Sequence, residues 1–157
     1  MKKRYLDVIG SIERLNKLLL DAIDIEIEKI GVSDINNVQA LLVYNIGNKI
    51  LTIGELSSRG YYLGTNISYN LKKLVKYGYV EQSAAEFDKR SSFVKLTEKG
   101  LKFCRNLDTA FVQHCSIIKS EGIDIEKQAK SFRELEIFFG RLVLRNPQSL
   151  NQYNREC

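Results

Sequence analysis

Two helix patterns joined by a short glycine-containing turn constrain the fold of this chain most strongly. The first pattern begins at Thr52, which forms a capping-box spacing with Glu55, and is predicted to end near Gly60. The second runs from Thr65 to Tyr77 and stops at Gly78. Two helices connected in this way are typical of a helix-turn-helix unit.

The second of these helices has one apolar face and one basic face. Ile67, Leu71 and Leu74 recur at helical spacing and are predicted to point inward. No acidic residue lies between Asn66 and Gly78, whereas an ordinary solvated face mixes charges of both signs. Hydroxyl and amide groups near the helix start can reach base edges in a major groove, and lysines near its end can meet phosphates. The predicted DNA-contacting face consists of Thr65, Asn66, Tyr69, Lys72, Lys73 and Lys76.

Positive charge is concentrated around this helix. The chain has a net charge of +5, and residues 66–105 hold nine basic and four acidic residues, so the rest of the chain is electrically balanced. A compact basic segment in a balanced protein indicates a polyanionic partner, for which DNA or RNA is the usual candidate. A solvated surface segment without a partner is the alternative.

A β-hairpin is predicted directly after the basic helix. Residues 79–84 and 91–96 read as two strands, and the charged stretch 86–90 forms the tip between them. A hairpin in this position is the wing of a winged helix. At its tip Lys89 and Arg90 can enter a minor groove, and Asp88 can hold Arg90 by a paired contact. An ordinary charged turn is the alternative.

Two more helices are predicted before this central segment. The first runs from Tyr5 to about Ile30, and its apolar stripe is wider than one helix face, with Gly31 available as the C-terminal cap. The second runs from Ile35 to Ile46, with Ser33 or Asp34 as its N-cap. A short strand is expected at residues 50–52.

Two further helices are predicted after the wing. Thr97 can cap a helix that starts at Glu98 and is broken at Gly122, and the last helix begins after Asp124 and is limited by Pro147. Together with the wide stripe near the N-terminus, these helices offer more apolar surface than one winged helix can cover. The sequence therefore predicts a homodimer.

The order of these elements resembles the MarR family of transcriptional regulators. Asp88-Lys-Arg90 followed by Val94-Lys-Leu-Thr97-Glu-Lys-Gly100 looks like the wing motif D-x-R … V-x-L-T-x-x-G of that family, and residues 66–80 resemble its recognition helix and first wing strand. The resemblance implies a homodimer with interlocking terminal helices, in which two winged helices bind a pseudo-palindromic duplex. It puts Asn66, Ser68 and Tyr69 at the base- and backbone-contacting end of the helix, and Asp88 and Arg90 at the wing tip.

Two departures and one finer resemblance bear on specificity. The family often has a basic residue where this chain has Tyr69 and a hydrophobic one where it has Asn70, so the resemblance does not give the DNA sequence that is read. Residues 60–70 are also similar to an LdtR-type subgroup, which implies control of cell-wall remodelling genes.

Small-molecule and redox control are the two regulatory hypotheses. The resemblance implies a cleft between dimer helices and winged helix that binds small aromatic molecules. Six of the eight tyrosines lie between positions 44 and 79 and can either line such a cleft or fill the core; Tyr44 and Tyr62 are the predicted pocket residues. Cys104 and Cys115 lie about 16 Å apart along one helix, too far for a disulfide within a chain. Pairing between chains and buried unreactive thiols are the alternatives.

Other function classes find little support in the sequence. No stretch approaches the roughly 18–20 apolar residues of a membrane span, and the basic start is not followed by an apolar signal core, so a cytoplasmic protein is expected. The cysteines show no C-x-x-C pair, and no glycine-rich phosphate loop occurs. The one histidine, His114, is interpreted as a packing residue or helix cap. We therefore expect no catalysis, metal or cofactor.

These observations predict a mainly α fold with a small β-wing: a winged helix-turn-helix flanked by long dimerisation helices. The expected parts are an N-terminal dimerisation helix (1–34), a DNA-binding domain (35–100), and C-terminal dimerisation helices with a tail (101–157). The predicted function is transcriptional regulation through sequence-specific binding of double-stranded DNA, modulated by a small effector. A winged-helix module for protein interaction or RNA binding is the alternative.

Overall fold

Six helices and three strands make up the described part of the chain. The computed structural model describes residues 1–58, 64–84 and 92–145, without the side chains of residues 58, 64–66, 84 and 144. The helices are α1 (Lys2–Ile30), α2 (Asn37–Ile46), α3 (Ile53–Ser58), α4 (Gly64–Lys76), α5 (Glu98–Ser120) and α6 (Ile125–Leu144), and the strands are β1 (Leu51–Thr52), β2 (Val80–Ala84) and β3 (Ser92–Leu96). This order confirms the predicted mainly α fold with a small β-wing.

The three strands form one antiparallel sheet in the order β1-β3-β2. β2 pairs with β3 over their full lengths, which gives the predicted hairpin, and β1 adds Leu51 opposite Val94. Val94 and Leu96 are buried while Lys95 between them is exposed, so β3 covers the core with one face only.

The core lies between the sheet and the helices that pack on it. α2 contacts α1, α4 and β3, and α4 contacts α3 and β2. The side chains that are almost completely excluded from solvent come from helices α1 to α5 and from the strands. Those on α1, α2, α4 and α5 include Ile23, Leu42, Ile46, Ile67, Leu71, Leu74 and Leu107. Burial of these side chains, at about 25 cal/mol per Å² of apolar area, is the main force that holds α4 in place.

The helix starts follow from local capping, with one correction to the prediction. α1 ends at Gly31 in the left-handed conformation, with φ 76°, as the sequence predicts. α2 starts from Asn36 and not from Ser33 or Asp34: the Asn36 side chain accepts a 2.9 Å hydrogen bond from the backbone N–H of Gln39. The predicted cap was wrong, and the Asp34 carboxylate instead accepts hydrogen bonds from Tyr79 and Lys99, which lie far along the chain.

The other predicted caps are present. Thr52 and Glu55 form the capping box, with hydrogen bonds of 2.7 Å and 3.1 Å in the two directions. The Thr97 hydroxyl accepts a 3.1 Å hydrogen bond from the backbone N–H of Gly100 at the start of α5. Asp124 caps α6, and α5 ends before Gly122, where φ is 70°.

The described residues fall into two compact units, residues 1–110 and the residues from 111 onward. In the first unit, α1 leaves large apolar side chains 40–61% exposed between Tyr5 and Leu19. In the second unit, the apolar side chains of α5 and α6 are also exposed; they include Val112, Ile117, Ile125, Phe132, Ile137 and Phe138. The three-part division at residues 34 and 100 stays a prediction.

Candidate nucleic-acid interface

The two faces of α4 separate as the periodicity predicts. Ile67, Leu71 and Leu74 are at most 1% exposed, so they fix which face of the helix turns to solvent. The described residues that face outward are Ser68, Tyr69, Lys72 and Lys76, which are exposed, and Lys73, which is half-buried. The exposed face therefore combines hydroxyl groups near the helix start with ammonium groups near its end.

Tyr69 and Lys73 are neighbours on this face, one helical turn apart. The Lys73 ammonium lies 4.8 Å from the centre of the Tyr69 ring, within the range of a cation–π contact. A hydrogen bond with the Tyr69 side chain also raises the pKa of Lys73 above its ordinary value. Tyr69 itself is 58% exposed and lies outside the chain's own core.

Several predicted contact residues lie where the structure gives no side chain. Thr65 and Asn66 fall in the first turn of α4, but their side chains are not described. Asp88, Lys89 and Arg90, as well as Tyr62, lie outside the described residues. Their roles in DNA or ligand binding stay predictions.

Two lysines of the basic segment are engaged in ion pairs. Lys95 on β3 lies 3.0 Å from Glu81, its cross-strand neighbour on β2. Lys99 lies 2.7 Å from Asp34. Because each of these two cations faces a carboxylate, they contribute less positive charge to a polyanion than the sequence suggests.

A polar cluster at the end of α4 was not anticipated from the sequence. The hydroxyl of Tyr79 donates a 2.7 Å hydrogen bond to Asp34, and Lys99 donates to the same carboxylate and to the carbonyl oxygen of Tyr77. Lys99 also lies 4.0 Å from the centre of the Tyr79 ring. This cluster connects the α1–α2 turn, the end of α4 and the start of α5. Its members are 45 and 65 residues apart in sequence, so no local pattern indicates them.

The cluster also sets the ionisation of its members. Burial by itself would raise the pKa of Asp34, but the hydrogen bonds from Lys99 and Tyr79 outweigh it, and the pKa lies below its ordinary value of 3.8. Burial, and next the hydrogen bond to Asp34, raise the pKa of Tyr79, so the phenol stays protonated and remains a donor. The cluster is therefore complete at neutral pH.

Asp34→Asn is expected to lower the free energy of unfolding at neutral pH by less than about 1 kcal/mol, because the ion pair is partly exposed. The depressed pKa means that this contribution is present above the unfolded-state pKa and is lost as pH falls through the folded-state value. The difference between wild type and variant should therefore shrink as pH falls below the ordinary carboxyl pKa of 3.8. Denaturant unfolding at pH 7, 5, 4 and 3 measures it.

Lys99→Met removes the other partner, and its difference from wild type should also shrink at low pH. The part of the difference that comes from the Tyr77 carbonyl and the Tyr79 ring should remain. A difference from wild type that stays constant from pH 7 to pH 3 in both variants would contradict the assignment of the charged pair.

A cavity lies beside the predicted pocket residue Tyr44. It has a volume of about 430 Å³ and is lined by residues of α2, of the turn that follows α2 and of α5, among them Leu101, Cys104, Arg105 and Asp108. The Tyr44 hydroxyl donates a 2.9 Å hydrogen bond to the Asp108 carboxylate, and this bond, followed by burial, raises the pKa of Tyr44. An aromatic ring, a guanidinium and a carboxylate thus meet at one cavity wall.

The described cysteines and the histidine differ in their exposure and contacts. Cys104 is half-buried and donates a 3.4 Å hydrogen bond to the carbonyl oxygen of Val43; burial raises its pKa to about 11. Cys115 is exposed within the chain, which differs from the buried-thiol alternative. His114 packs against Phe111 at a ring-centre distance of 6.0 Å, as a packing residue would.

Neither a metal site nor a membrane span occurs within the described ranges 1–58, 64–84 and 92–145. No group of three or more His, Cys, Asp or Glu side chains there could hold a metal ion. No helix of that part of the chain is both long and apolar enough to cross a membrane.

The chain is similar to known regulators in both sequence and fold. Residues 35–100 match the family model of a winged helix DNA-binding domain. Over 139 residues the chain is 33% identical to the exopolysaccharide II synthesis transcriptional activator ExpG of Rhizobium meliloti (strain 1021), a match that covers 87% of this chain and 72% of ExpG.

Solved structures share the fold at lower identity. A mutant of MarR from E. coli complexed with operator DNA aligns with a TM-score of 0.69 at 20% identity, covering 86% of this chain and 95% of that one. A MarR family regulator from Streptomyces coelicolor in complex with DNA aligns with a TM-score of 0.67 at 22% identity. This match covers 87% of this chain and 86% of that one. With its winged helix-turn-helix, its relationship to ExpG and this shared fold, the chain belongs to the MarR family of transcriptional regulators.

Proposed function

We propose that the protein is a homodimeric regulator that binds a pseudo-palindromic operator in double-stranded DNA. The observation that carries the proposal is the outward face of α4, where Lys72, Lys73 and Lys76 form a cationic surface next to exposed Ser68 and Tyr69. Such a helix has the composition that enters a major groove, with its start on base edges and its end on phosphates. The winged helix fold supports the same interpretation.

The two kinds of side chain on α4 have different proposed tasks. Ser68 and Tyr69, with Asn66, contact bases and discriminate between sequences, and each good base contact contributes about 1–3 kcal/mol. Lys73 and Lys76, with Lys89 and Arg90 of the wing, contact the sugar-phosphate backbone and contribute affinity without discrimination. The proposed function requires no catalytic group, metal or cofactor.

Exposed apolar side chains support the proposed homodimer. Leu15 and Leu19 on α1 are 49% and 51% exposed, and they continue the stripe of Tyr5 and Ile12. The apolar side chains of α6 are exposed as well, and monomers rarely leave so much apolar surface in water. A dimer with twofold symmetry puts two recognition helices into successive major grooves about 34 Å apart.

DNA binding by the purified protein tests the proposal. Genomic fragments retained by the wild-type protein are sequenced, and the shared operator duplex and a scrambled duplex are titrated by fluorescence anisotropy at about 50 and 200 mM salt. Tight binding to the operator, weaker binding to the scrambled duplex and a steep loss of affinity with salt are expected. Equal affinity for both duplexes would contradict sequence-specific binding, and no binding at either salt would favour the protein-interaction or RNA-binding alternative.

Lys73→Ala combined with Lys76→Ala is expected to weaken binding to both duplexes by a similar factor, about tenfold at 100 mM salt. Phosphate contacts carry no sequence information, so the ratio of the two affinities should persist. The slope of log K against log salt should become shallower by about 0.9 for each phosphate that the variant no longer neutralises. Lys17→Ala on α1 is the control and should leave both affinities unchanged. A loss confined to the operator duplex would show that these lysines contact bases.

We also propose that a small phenolic effector binds the cavity beside Tyr44. The cavity offers an aromatic ring for stacking, and both Arg105 and Asp108 for polar groups of the ligand. Because α2 and α5 form its walls, a bound ligand can change how the winged helix meets α5 and so change operator affinity.

Tyr44→Phe is expected to weaken binding of such a phenol by about 2- to 10-fold, because the Asp108 carboxylate loses the hydrogen bond that holds it at the cavity wall. Isothermal titration with a panel of phenolic compounds measures it, with Tyr77→Phe as the control. The effector proposal fails if no compound of the panel binds saturably to the wild type.

Genes of the cell envelope are the proposed targets, and the cytoplasm is the proposed location. The LdtR-type resemblance implies cell-wall remodelling genes, and the 33% identical relative is named for exopolysaccharide II synthesis. Both concern material outside the cytoplasmic membrane. The genes that adjoin the retained genomic fragments test this proposal, which fails if none of them serves the envelope.

A further inference from the structure

A buried pair of amides connects the recognition helix to α2. Asn70 is 8% exposed and lies on the inward face of α4, whose other buried residues among those described are apolar. Its side-chain oxygen accepts a 3.0 Å hydrogen bond from Nε2 of Gln39, which is 3% exposed on α2. The sequence did not indicate this pair, because the two residues are 31 positions apart.

The other end of the Gln39 amide is held by the α2 cap. Its Oε1 accepts a 3.2 Å hydrogen bond from the backbone N–H of Asn36, so the Nε2 end is the one directed at Asn70. The backbone N–H of Gln39 in turn donates to the Asn36 side chain. A continuous polar connection therefore runs from the first turn of α2 to the middle of α4.

Apolar contacts and buried hydrogen bonds restrain a helix differently. Burial of Ile67, Leu71 and Leu74 holds α4 against the core, but the hydrophobic effect is non-directional and does not by itself specify one orientation of the helix. The energy of the Gln39–Asn70 hydrogen bond depends on direction and distance, and breaking it between two buried amide groups costs free energy. The pair therefore restrains the position of α4 along and around its axis.

We infer that Gln39 and Asn70 are positioning residues for base discrimination, because they set where the outward face of α4 lies relative to α2. Tyr69 immediately precedes Asn70 on α4, so any displacement of Asn70 moves Tyr69 by a similar distance. A base-edge hydrogen bond does not tolerate such a displacement, whereas flexible lysine side chains can still reach phosphates. This inference rests on the proposed DNA-binding function.

The test replaces both amides by apolar side chains of similar size. In Gln39→Leu/Asn70→Leu, the ratio of the dissociation constants for the scrambled and operator duplexes is expected to fall at least tenfold. The affinity for the scrambled duplex and its salt dependence should stay within twofold of wild type. Leu71→Met, an apolar exchange on the same buried face, is the control and should keep the wild-type ratio. An unchanged ratio in a double variant that is fully folded by circular dichroism overturns the inference.

Two further measurements keep the outcomes distinct. If the double variant does not fold, Gln39→Met, which keeps the side-chain length and removes the donor, is measured in the same way, with the same expected fall and the same overturning result. Failure of the proposed function itself appears in the wild-type protein, as equal affinity for the two duplexes. If the wild-type protein discriminates between the two duplexes and the variant discriminates equally well, only the positioning role is overturned.

Discussion

Replacing Gly100 by alanine is expected to lower the free energy of unfolding by about 3 kcal/mol, which corresponds to a fall in Tm of roughly 6–12 °C at this chain length. A Cβ at position 100 would collide with the carbonyl oxygen of Tyr79 and lie 3.2 Å from Cβ of Leu96. The carbonyl cannot move away freely, because it accepts a 3.1 Å hydrogen bond from the backbone N–H of Thr97. Thermal unfolding at fixed protein concentration measures the effect.

Gly140→Ala provides the matched control, since both glycines lie within helices. An added Cβ at position 140 meets no atom of the chain within 4 Å, so only the helix propensity changes. Alanine is favoured over glycine in a helix by about 1 kcal/mol, and this variant should be slightly more stable than wild type. If both variants melted together at or above the wild-type temperature, the close approach of Tyr79 to α5 would be wrong.

The glycine at position 100 shows how a resemblance and a structure complement each other. The sequence identifies Gly100 as the last residue of a wing motif but gives no reason for it. The structure supplies the reason: α5 begins so close to the start of β2 that only a hydrogen atom fits between Gly100 and the Tyr79 carbonyl. The Thr97 of the same motif caps α5 and also donates a 2.6 Å hydrogen bond to the carbonyl oxygen of Gly78.

The local sequence patterns predicted the helices and strands well, but they did not predict which polar side chains form hydrogen bonds with each other. The spacing of Ile67, Leu71 and Leu74 predicted the buried face of α4 because burial follows from periodicity alone. The polar partners of Asp34 and Asn70 could not be predicted in this way, since they depend on how distant elements meet. The wrong N-cap of α2 has the same origin: Ser33, Asp34 and Asn36 are all capable of capping, and only tertiary contacts decide which one does so.

Leu15→Glu combined with Leu19→Glu is expected to convert the proposed dimer to a monomer and to weaken operator binding more than 100-fold. Both side chains lie about half exposed on one stripe of α1, so within the chain they contribute little to the core. In a dimer they would be buried, where two carboxylates per subunit carry a large desolvation penalty. Operator binding falls because two half-sites can then no longer be bound by one particle. Sedimentation velocity and anisotropy measure the two effects.

Lys17→Glu separates loss of the dimer from loss of positive charge. This single substitution changes the net charge by as much as the double variant does, but Lys17 points away from the apolar stripe and forms a 2.6 Å ion pair with Asp21. The Lys17→Glu variant should remain dimeric, and its operator affinity should fall only by the small amount that the change in charge explains. If the Leu15/Leu19 double variant sediments as a dimer and binds the operator like Lys17→Glu, the stripe of α1 is not the dimer contact. The exposed apolar side chains of α6 would then be the next to substitute, because they are the other large apolar surface that the described chain leaves in water.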